Sequence, residues 1–250
     1  RGLLSAAALA ERQGHRQDAK RWRERAAELQ RAWANAFKPP WSENERTHIS
    51  GLWPTWVANP AREAFQQGLM NRWAAQRDAE GGYRQTPLWT YFELAYAHQW
   101  LLLGQVERAW QTLRWFWDHR ASPGLYTWWE GKGEENSFGL WEEIRGWVNP
   151  PHVTPHYWTA AEMLLLQLDM LAYVDESARE PTLVIGAGIP TEWLPRPMSV
   201  RGLSTRLGSV DWNWDGRAMR VTVRGNKCAV RLATVFPPKT SLQTKFQPLE

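Results

Sequence analysis

The residue types best suited to chemistry gather in one stretch near the middle of the chain. Residues 120–156 contain five glutamates and four tryptophans, which are Glu130, Glu134, Glu135, Glu142, Glu143, Trp128, Trp129, Trp141 and Trp147. Hydrolysis of a glycosidic bond needs two carboxyl groups, and flat aromatic rings stack against sugar rings. The stretch therefore supplies the residue types for sugar chemistry, although glutamates in a loop are commonly only solvated.

Tryptophan is abundant throughout the chain, with 19 among 250 residues. The indole offers a broad apolar face and one N–H donor, which suits a sugar ring with C–H groups on one face. Packing between helices explains any single tryptophan equally well. The excess as a whole favours a carbohydrate ligand.

Two histidines at the end of the same stretch have a spacing that metal sites use. His152 and His156 lie four residues apart, which on a helix would bring both rings to one face. Pro150, Pro151 and Pro155 oppose a helix there, and no third ligand is evident. We therefore predict no metal site and no cofactor, and we expect His156 to bind sugar hydroxyls or to serve a structural role.

Five further residues are candidate sugar contacts. Trp129 is the first candidate for a stacking platform, and Tyr126 lies in the same predicted loop. Trp53, from an earlier aromatic loop, and Trp89 are further candidates, although each also suits a core position. Arg84 follows two glycines and a tyrosine, and it either clamps a substrate or caps a loop.

The elements around these residues are predicted to be helices arranged in hairpins. Apolar spacings of three and four predict helices near residues 3–13, 16–36, 60–78, 88–103, 106–118 and 157–174. The last is apolar nearly all round, which predicts a helix buried on most sides. Glu162 and Asp169 lie seven residues apart on it and therefore share one face, where a structural salt bridge is their commonest use.

The hydrophobic pattern of the sequence changes after the last helix. From Leu183 onward, short runs with a period of two alternate with Gly and Pro turns, which predicts antiparallel strands with one wet face. We place the boundary near residues 175–182. The predicted domains are therefore a helical domain at residues 1–178 and a β-sandwich accessory domain at residues 179–250.

Several segments together resemble one enzyme family. The Thr-Trp-Trp-Glu run at residues 127–130 resembles the Thr-x-Trp-Glu motif of the α-L-rhamnosidase-like six-hairpin glycosidases, in which that Glu is the catalytic base. Residues 155–161 resemble the family's downstream segment, where a His precedes an inner helix close to bound sugar. Residues 183–194 and 204–210 resemble its β tail. The resemblance covers residues from about 85 to 225, and loosely the helices before them.

The resemblance implies a fold and a reaction. The fold would be mainly α: a partial (α/α)6 toroid of helical hairpins, followed by a small antiparallel β-sandwich. The chain would be a glycoside hydrolase that acts on a terminal sugar with inversion, with Glu130 activating water. Glu142, flanked by Trp141 and Trp147, is the rival base. The general acid of such enzymes lies upstream, so we expect a chain that begins within a structured region to be inactive alone.

Two other function classes stay open. A polysaccharide lyase on an (α/α) toroid would use a Tyr or His base such as Tyr126 or His156, but a Glu-rich loop is electrostatically unsuited to an acidic sugar. A non-catalytic carbohydrate-binding remnant is the third possibility, because a fold does not entail an activity. Activity that depends on Glu130 favours the hydrolase over both.

Composition excludes several partners. The net charge is only +4 and basic residues are interleaved with acidic ones, so we expect no nucleic-acid partner. No run of about 18 apolar residues or signal peptide is visible, so we expect no membrane partner, and both a cytoplasmic and an exported location stay open. The single cysteine, Cys228, excludes an intramolecular disulfide. No oligomeric state is predicted.

Overall fold

The computed structural model describes residues 1–39, 41–85, 87, 89–119, 128–131, 155–177 and 180–248. By its internal contacts the chain divides into two compact units, Arg1–Asp78 and Ala79–Glu250. The predicted division between residues 178 and 179 falls within the second unit, and it stays a prediction.

The first unit begins with a helical hairpin, as predicted. Its helices are α1 (Gly2–Arg12), α2 (Arg16–Ala36) and α3 (Arg62–Gln76). Gly14, with a φ of 82°, makes the tight turn between α1 and α2, a backbone conformation that glycine adopts without steric cost. Ala7, Ala10 and Ala19 are buried between the two helices with Trp22 packed beside them.

The long loop between α2 and α3 packs into the first unit. It contains three short 3-10 turns, Trp41–Glu43, Glu45–Thr47 and Asn59–Ala61. His48 is buried, and its ring lies 5.3 Å from that of Phe65 and 5.5 Å from that of Phe37. Phe37 in turn stacks on Trp33 at 4.6 Å. His48 of this loop therefore packs into a local aromatic core with Phe37, at the end of α2, and Phe65 of α3.

The helices of the second unit place two helix N-termini side by side. They are α4 (Thr90–Leu102), α5 (Val106–Asp118) and α6 (Tyr157–Leu171). Thr90 contacts Thr159 in the first turns of α4 and α6, and farther along His98 contacts both Glu162 and Asp169. Since the contacts advance together on both helices, α4 and α6 run in the same direction. Their first turns therefore meet at one end of the unit.

Two mixed sheets complete the second unit. The strands are β1 (Ala172–Asp175), β2 (Thr182–Ile185), β3 (Met198–Thr205), β4 (Gly208–Trp214), β5 (Ala218–Gly225), β6 (Ala229–Leu232) and β7 (Ser241–Gln247). The sheet orders are β1-β2-β6 and β3-β4-β5-β7. The β2–β6 and β5–β7 pairs are parallel, and the other pairs are antiparallel. Alternate residues of β4 and β5, including Val210, Trp212, Val221 and Val223, are buried in a core shared with β2.

The predicted fold class is wrong. The structure is partly mixed α/β, and it is neither a toroid of helical hairpins nor an antiparallel sandwich, because each sheet contains a parallel pair. A period of two shows which face of a strand is buried, but both parallel and antiparallel neighbours produce it. Likewise, helical spacing predicts the hairpins α1–α2 and α4–α5, but it does not define how hairpins assemble into a larger architecture.

The prediction that the last helix is buried on most sides is also wrong. Tyr157, Trp158, Leu164 and Leu165 of α6 are 40–75% exposed, whereas Thr159, Glu162, Met163, Leu166 and Met170 are buried. Hydrophobicity around a helix does not say how many neighbours cover it. The helix also ends at Leu171 and leads directly into β1. Within the described parts of the chain, no helix is long and apolar enough to cross a membrane.

Gly188 lies where the helices of the second unit meet its sheets. Its N–H donates to the carbonyl of Met170 at 2.8 Å, and its carbonyl accepts from Trp110 Nε1 at 2.8 Å. A Cβ at this position would lie 2.3 Å from Cβ and Cγ of Met170.

We expect Gly188→Ala to lower the free energy of unfolding by about 1–3 kcal/mol, because the added methyl group forces Met170 off its position. Urea unfolding followed by tryptophan fluorescence measures the change. Gly2→Ala is the control, because its added Cβ would meet nothing within 4 Å. An unfolding free energy of Gly188→Ala equal to wild type would contradict the close approach.

Candidate functional site

A four-residue segment, residues 128–131, docks against the first turns of α4 and α6. Gly131 forms a β-bridge with Trp89, and the N–H of Thr90 donates to the carbonyl of Glu130 at 3.1 Å. On the other side, the N–H of His156 donates to the carbonyl of Trp128 at 2.9 Å. Backbone hydrogen bonds therefore hold the segment between two helix starts, which satisfies N–H groups that have no partner within a helix.

Trp128 anchors this segment in the core. Its side chain is 1% exposed, and its Nε1 donates to the carbonyl of Phe116 at 2.9 Å. Its ring packs edge-on against Phe116 at 6.0 Å. Trp129 and Glu130, which follow, are partly exposed. A buried anchor in the segment thus holds its neighbours near the surface in fixed positions.

Glu130 and His156 face each other across a narrow gap. Glu130 Oε1 lies 3.9 Å from His156 Nε2, and their side chains are 27% and 8% exposed. Burial lowers the pKa of His156, and the negative charge of Glu130 only partly offsets that effect. The imidazole is therefore neutral at neutral pH. The gap exceeds a direct hydrogen bond and has the width that one bridging oxygen would fill.

Two buried threonines support His156 from behind. Thr159 Oγ1 lies 2.7 Å from His156 Nδ1 and 2.7 Å from Thr90 Oγ1. Thr90 Oγ1 donates to the carbonyl of Trp129. Both threonines have no exposed surface. The side chains thus form a continuous series of hydrogen bonds from the histidine ring back to the segment that carries Glu130.

Aromatic rings lie beside the Glu130–His156 pair. The ring of Trp158 lies 5.8 Å from that of His156 and 6.2 Å from that of Tyr91. Trp158 is 69% exposed, so one face of its indole is open to a ligand. Trp129 is fixed by an Nε1 hydrogen bond to the carbonyl of Pro87 at 3.4 Å. These rings can stack on a sugar while the carboxylate and imidazole bind its hydroxyl groups.

A buried group of charges lies farther along α4 and α6. His98 Nδ1 lies 2.7 Å from Glu162 Oε1, and its Nε2 lies 2.9 Å from Asp169 Oδ2. His98 is fully buried. Burial lowers its pKa, but the hydrogen bonds and charges of Asp169 and Glu162 outweigh burial, so that the pKa of His98 is raised overall. The sequence-based expectation of a structural salt bridge at Glu162 and Asp169 is confirmed.

The structure brings four of the sequence-predicted residues together. Trp89, Trp129, Glu130 and His156 all belong to the junction of the 128–131 segment with α4 and α6. Trp89 also stacks on Phe92 at 5.5 Å, so part of its ring is used in packing.

The remaining predicted residues lie elsewhere or are not described. Arg84 is exposed in the turn before α4. Trp53 is partly buried in the first unit. Tyr126 and Glu142 lie outside the described residues, so the choice between Glu130 and Glu142 as base stays a prediction.

Sequence analysis did not identify Thr90, Thr159, His98 or Trp158 as contributors. An aromatic pair, Tyr157 and Trp158, directly after a candidate histidine was the available signal for Trp158. The buried polar residues had no such signal, because their role depends on which two helices are neighbours. Among the residues that the structure describes, no group of three or more His, Cys, Asp and Glu side chains could hold a metal ion.

Comparisons with protein-family models, with characterised proteins and with solved structures find no match to this chain.

Proposed function

We propose that the chain is a glycoside hydrolase that acts on a terminal sugar with inversion, as its resemblance to the α-L-rhamnosidase-like six-hairpin glycosidases implies. The observation that carries the proposal is the Glu130–His156 pair, in which a partly exposed carboxylate lies 3.9 Å from a neutral imidazole. The aromatic rings around the pair supply surfaces for sugar stacking.

Glu130 is the general base in this proposal. Its carboxylate accepts a proton from water while the water oxygen forms a bond to the anomeric carbon. The bond from that carbon to the leaving-group oxygen breaks on the opposite face, so the configuration inverts, and that oxygen takes a proton from the general acid that the resemblance places before Glu130. Glu162 and Asp169 are both bonded to His98, so they are structural groups and are not available for this proton transfer.

The charge of the site favours a neutral sugar. Glu130 is accompanied by Glu162, whose charge raises the pKa of Tyr91 in addition to the effect of burial. The partly exposed carboxylate of Glu130 would repel a uronate, which argues against a lyase acting on an acidic polysaccharide.

A panel of glycosyl fluorides tests the proposal directly. Fluoride leaves without being protonated, so a site that supplies only a base can hydrolyse such substrates. We expect the chain to release fluoride from one member of a panel of α- and β-fluorides that includes L-rhamnose, and to give the inverted anomer by proton NMR. Binding is followed in parallel by tryptophan fluorescence.

Three outcomes are distinguishable. Release with inversion supports the hydrolase. Saturable binding without release of fluoride supports a non-catalytic carbohydrate-binding protein and overturns the hydrolase. Neither binding nor release with any sugar at millimolar concentration overturns both.

A further inference from the structure

We propose that Thr159 and Thr90 hold the neutral ring of His156 with its proton on Nδ1, so that His156 Nε2 and Glu130 Oε1 form a pair of acceptors for one bridging water. This inference deepens the proposed function, and it rests on that function only for the role of the bound water. The position of the ring proton follows from the hydrogen bonds alone.

The direction of these hydrogen bonds is fixed at one end. A backbone carbonyl can only accept, so the hydroxyl of Thr90 must donate to the carbonyl of Trp129. A threonine hydroxyl has a single hydrogen. Because Thr90 has used its hydrogen, the 2.7 Å contact with Thr159 requires the hydroxyl of Thr159 to be the donor.

The same rule then determines the proton on the histidine. Thr159 has used its only hydrogen on Thr90, so its oxygen must accept across the 2.7 Å contact with His156 Nδ1. Nδ1 therefore carries a hydrogen. A neutral imidazole has one N–H, which leaves Nε2 as an acceptor. Any other arrangement would leave two buried acceptor atoms in contact with no hydrogen between them, at a cost that water cannot relieve because both threonines are fully buried.

The distance between Glu130 and His156 agrees with this assignment. If Nε2 carried the hydrogen, it would donate to the carboxylate at roughly 2.8 Å. The observed separation of Nε2 and Oε1 is 3.9 Å, as expected of two acceptors that do not bond to each other. An oxygen about 2.8 Å from both atoms would see them at an angle of about 90°, close to the angle between the two hydrogens of a water molecule.

The two acceptors select a water, because a water has two hydrogens to donate. A water in the gap donates one hydrogen to Glu130 and the other to His156, so its lone pairs point away from both groups toward the open side. When the oxygen bonds to the anomeric carbon, one proton passes to Glu130, and the other stays on the oxygen as part of the new sugar hydroxyl, hydrogen-bonded to His156 Nε2. Thr159 acts through His156, and it is therefore a positioning residue.

The test measures the ring proton without using catalysis. In protein with ¹⁵N-labelled histidine at pH 8, long-range ¹H–¹⁵N spectra distinguish a protonated nitrogen from an unprotonated one. His156→Gln assigns the signals among the six histidines. We expect Nε2 of His156 to be unprotonated in the wild type. In Thr159→Val, which lacks the acceptor, we expect the ring to convert to the tautomer with the hydrogen on Nε2.

Two further variants separate this role from a change in packing. Thr159→Ser keeps the hydroxyl and should restore the wild-type tautomer. Thr112→Val is the matched control, because Thr112 is also a buried helical threonine but its hydroxyl bonds to the carbonyl of Arg108. It should leave the His156 signals unchanged. If Thr159→Val does not fold, the wild-type and Thr159→Ser spectra still decide the question.

A wild-type His156 with its hydrogen on Nε2, or a tautomer unchanged in folded Thr159→Val, overturns the inference. Where a glycosyl fluoride is hydrolysed, Thr159→Val should lower kcat by about tenfold with a smaller change in KM, as expected for one misdirected hydrogen bond. The expected tautomer without any hydrolysis would contradict the proposed function and leave the acceptor pair intact. Hydrolysis by a protein whose His156 carries its hydrogen on Nε2 would support the proposed function and overturn the acceptor pair.

Discussion

Replacing Glu130 by glutamine is expected to lower turnover of the glycosyl fluoride that the chain hydrolyses by a factor of about 10²–10⁴, the usual contribution of a general base. The amide has nearly the same shape as the carboxylate but cannot accept the proton of the attacking water. Its NH₂ group can also donate to His156 Nε2, which would fill the 3.9 Å gap. Fluoride release measures kcat, and tryptophan fluorescence measures sugar binding, which should change much less.

Glu192→Gln is the matched control for this variant. Glu192 is exposed in the short 3-10 turn Thr191–Trp193, and its substitution removes the same charge from the same unit. We expect it to retain wild-type turnover. If Glu130→Gln keeps more than about a tenth of the wild-type rate, the base contribution assigned to Glu130 is wrong. Glu142→Gln would then be the next variant to measure.

Replacing His98 by leucine is expected to destabilise the second unit by about 3–5 kcal/mol, because it leaves two carboxylates without their shared buried cation. Each ring nitrogen of His98 contacts a carboxylate, and carboxylates accept only, so the ring is an imidazolium that donates to both. Leucine has a similar volume, so the loss arises mainly from charge. Urea unfolding at pH 6, followed by tryptophan fluorescence, measures it.

The triple variant His98→Leu, Glu162→Gln, Asp169→Asn separates charge from packing. It removes the unpaired charges together with the histidine, so it should recover a large part of the lost stability. His119→Leu is a surface control, since His119 stacks on Trp115 at the exposed end of α5. A His98→Leu protein within 1 kcal/mol of wild type would contradict the role of His98 as a buried cation.

The pH dependence of the same variant has a definite sign. The pKa of His98 is raised in the folded chain relative to an unfolded histidine, whose pKa is about 6.5. Its stabilisation is therefore fully present below about pH 6.5 and is lost as pH rises through the higher folded value. The difference in unfolding free energy between wild type and His98→Leu should be greatest in mildly acidic solution and should shrink toward alkaline pH.

Sequence patterns anticipated the local elements well. The apolar stripe of α5 predicts residues 106–118, which are its observed bounds, and the predicted start of α6 at residue 157 is also observed. Each depends only on residues three or four apart, which are neighbours on a helix surface. The directions of β6 and β7 could not be predicted in this way, because their parallel partners β2 and β5 are reached through long connections.

The residues of the candidate site likewise fall into those that local sequence patterns indicate and those that depend on which helices are neighbours. Glu130, Trp129 and His156 were named because they resemble short motifs, and the structure places them at one junction. Thr90, Thr159 and His98 could not be named from the sequence. Thr90 and Thr159 are 69 residues apart, and their contact exists only because α4 and α6 are parallel neighbours.

Because α6 passes directly into β1, the end of the helix is joined rigidly to the sheet. The strand begins at the residue after Leu171. The carbonyls of Met170 and Leu171 accept hydrogen bonds from the N–H groups of Gly188 and Gly186, so no flexible loop separates helix from strand. The helix spans about 21 Å from its first to its last residue at 1.5 Å per residue. A tilt of the sheet by about 5° would therefore move the start of α6 by roughly 2 Å. We therefore expect substitutions in the sheet core to shift the start of α6, and with it His156, without contacting that residue.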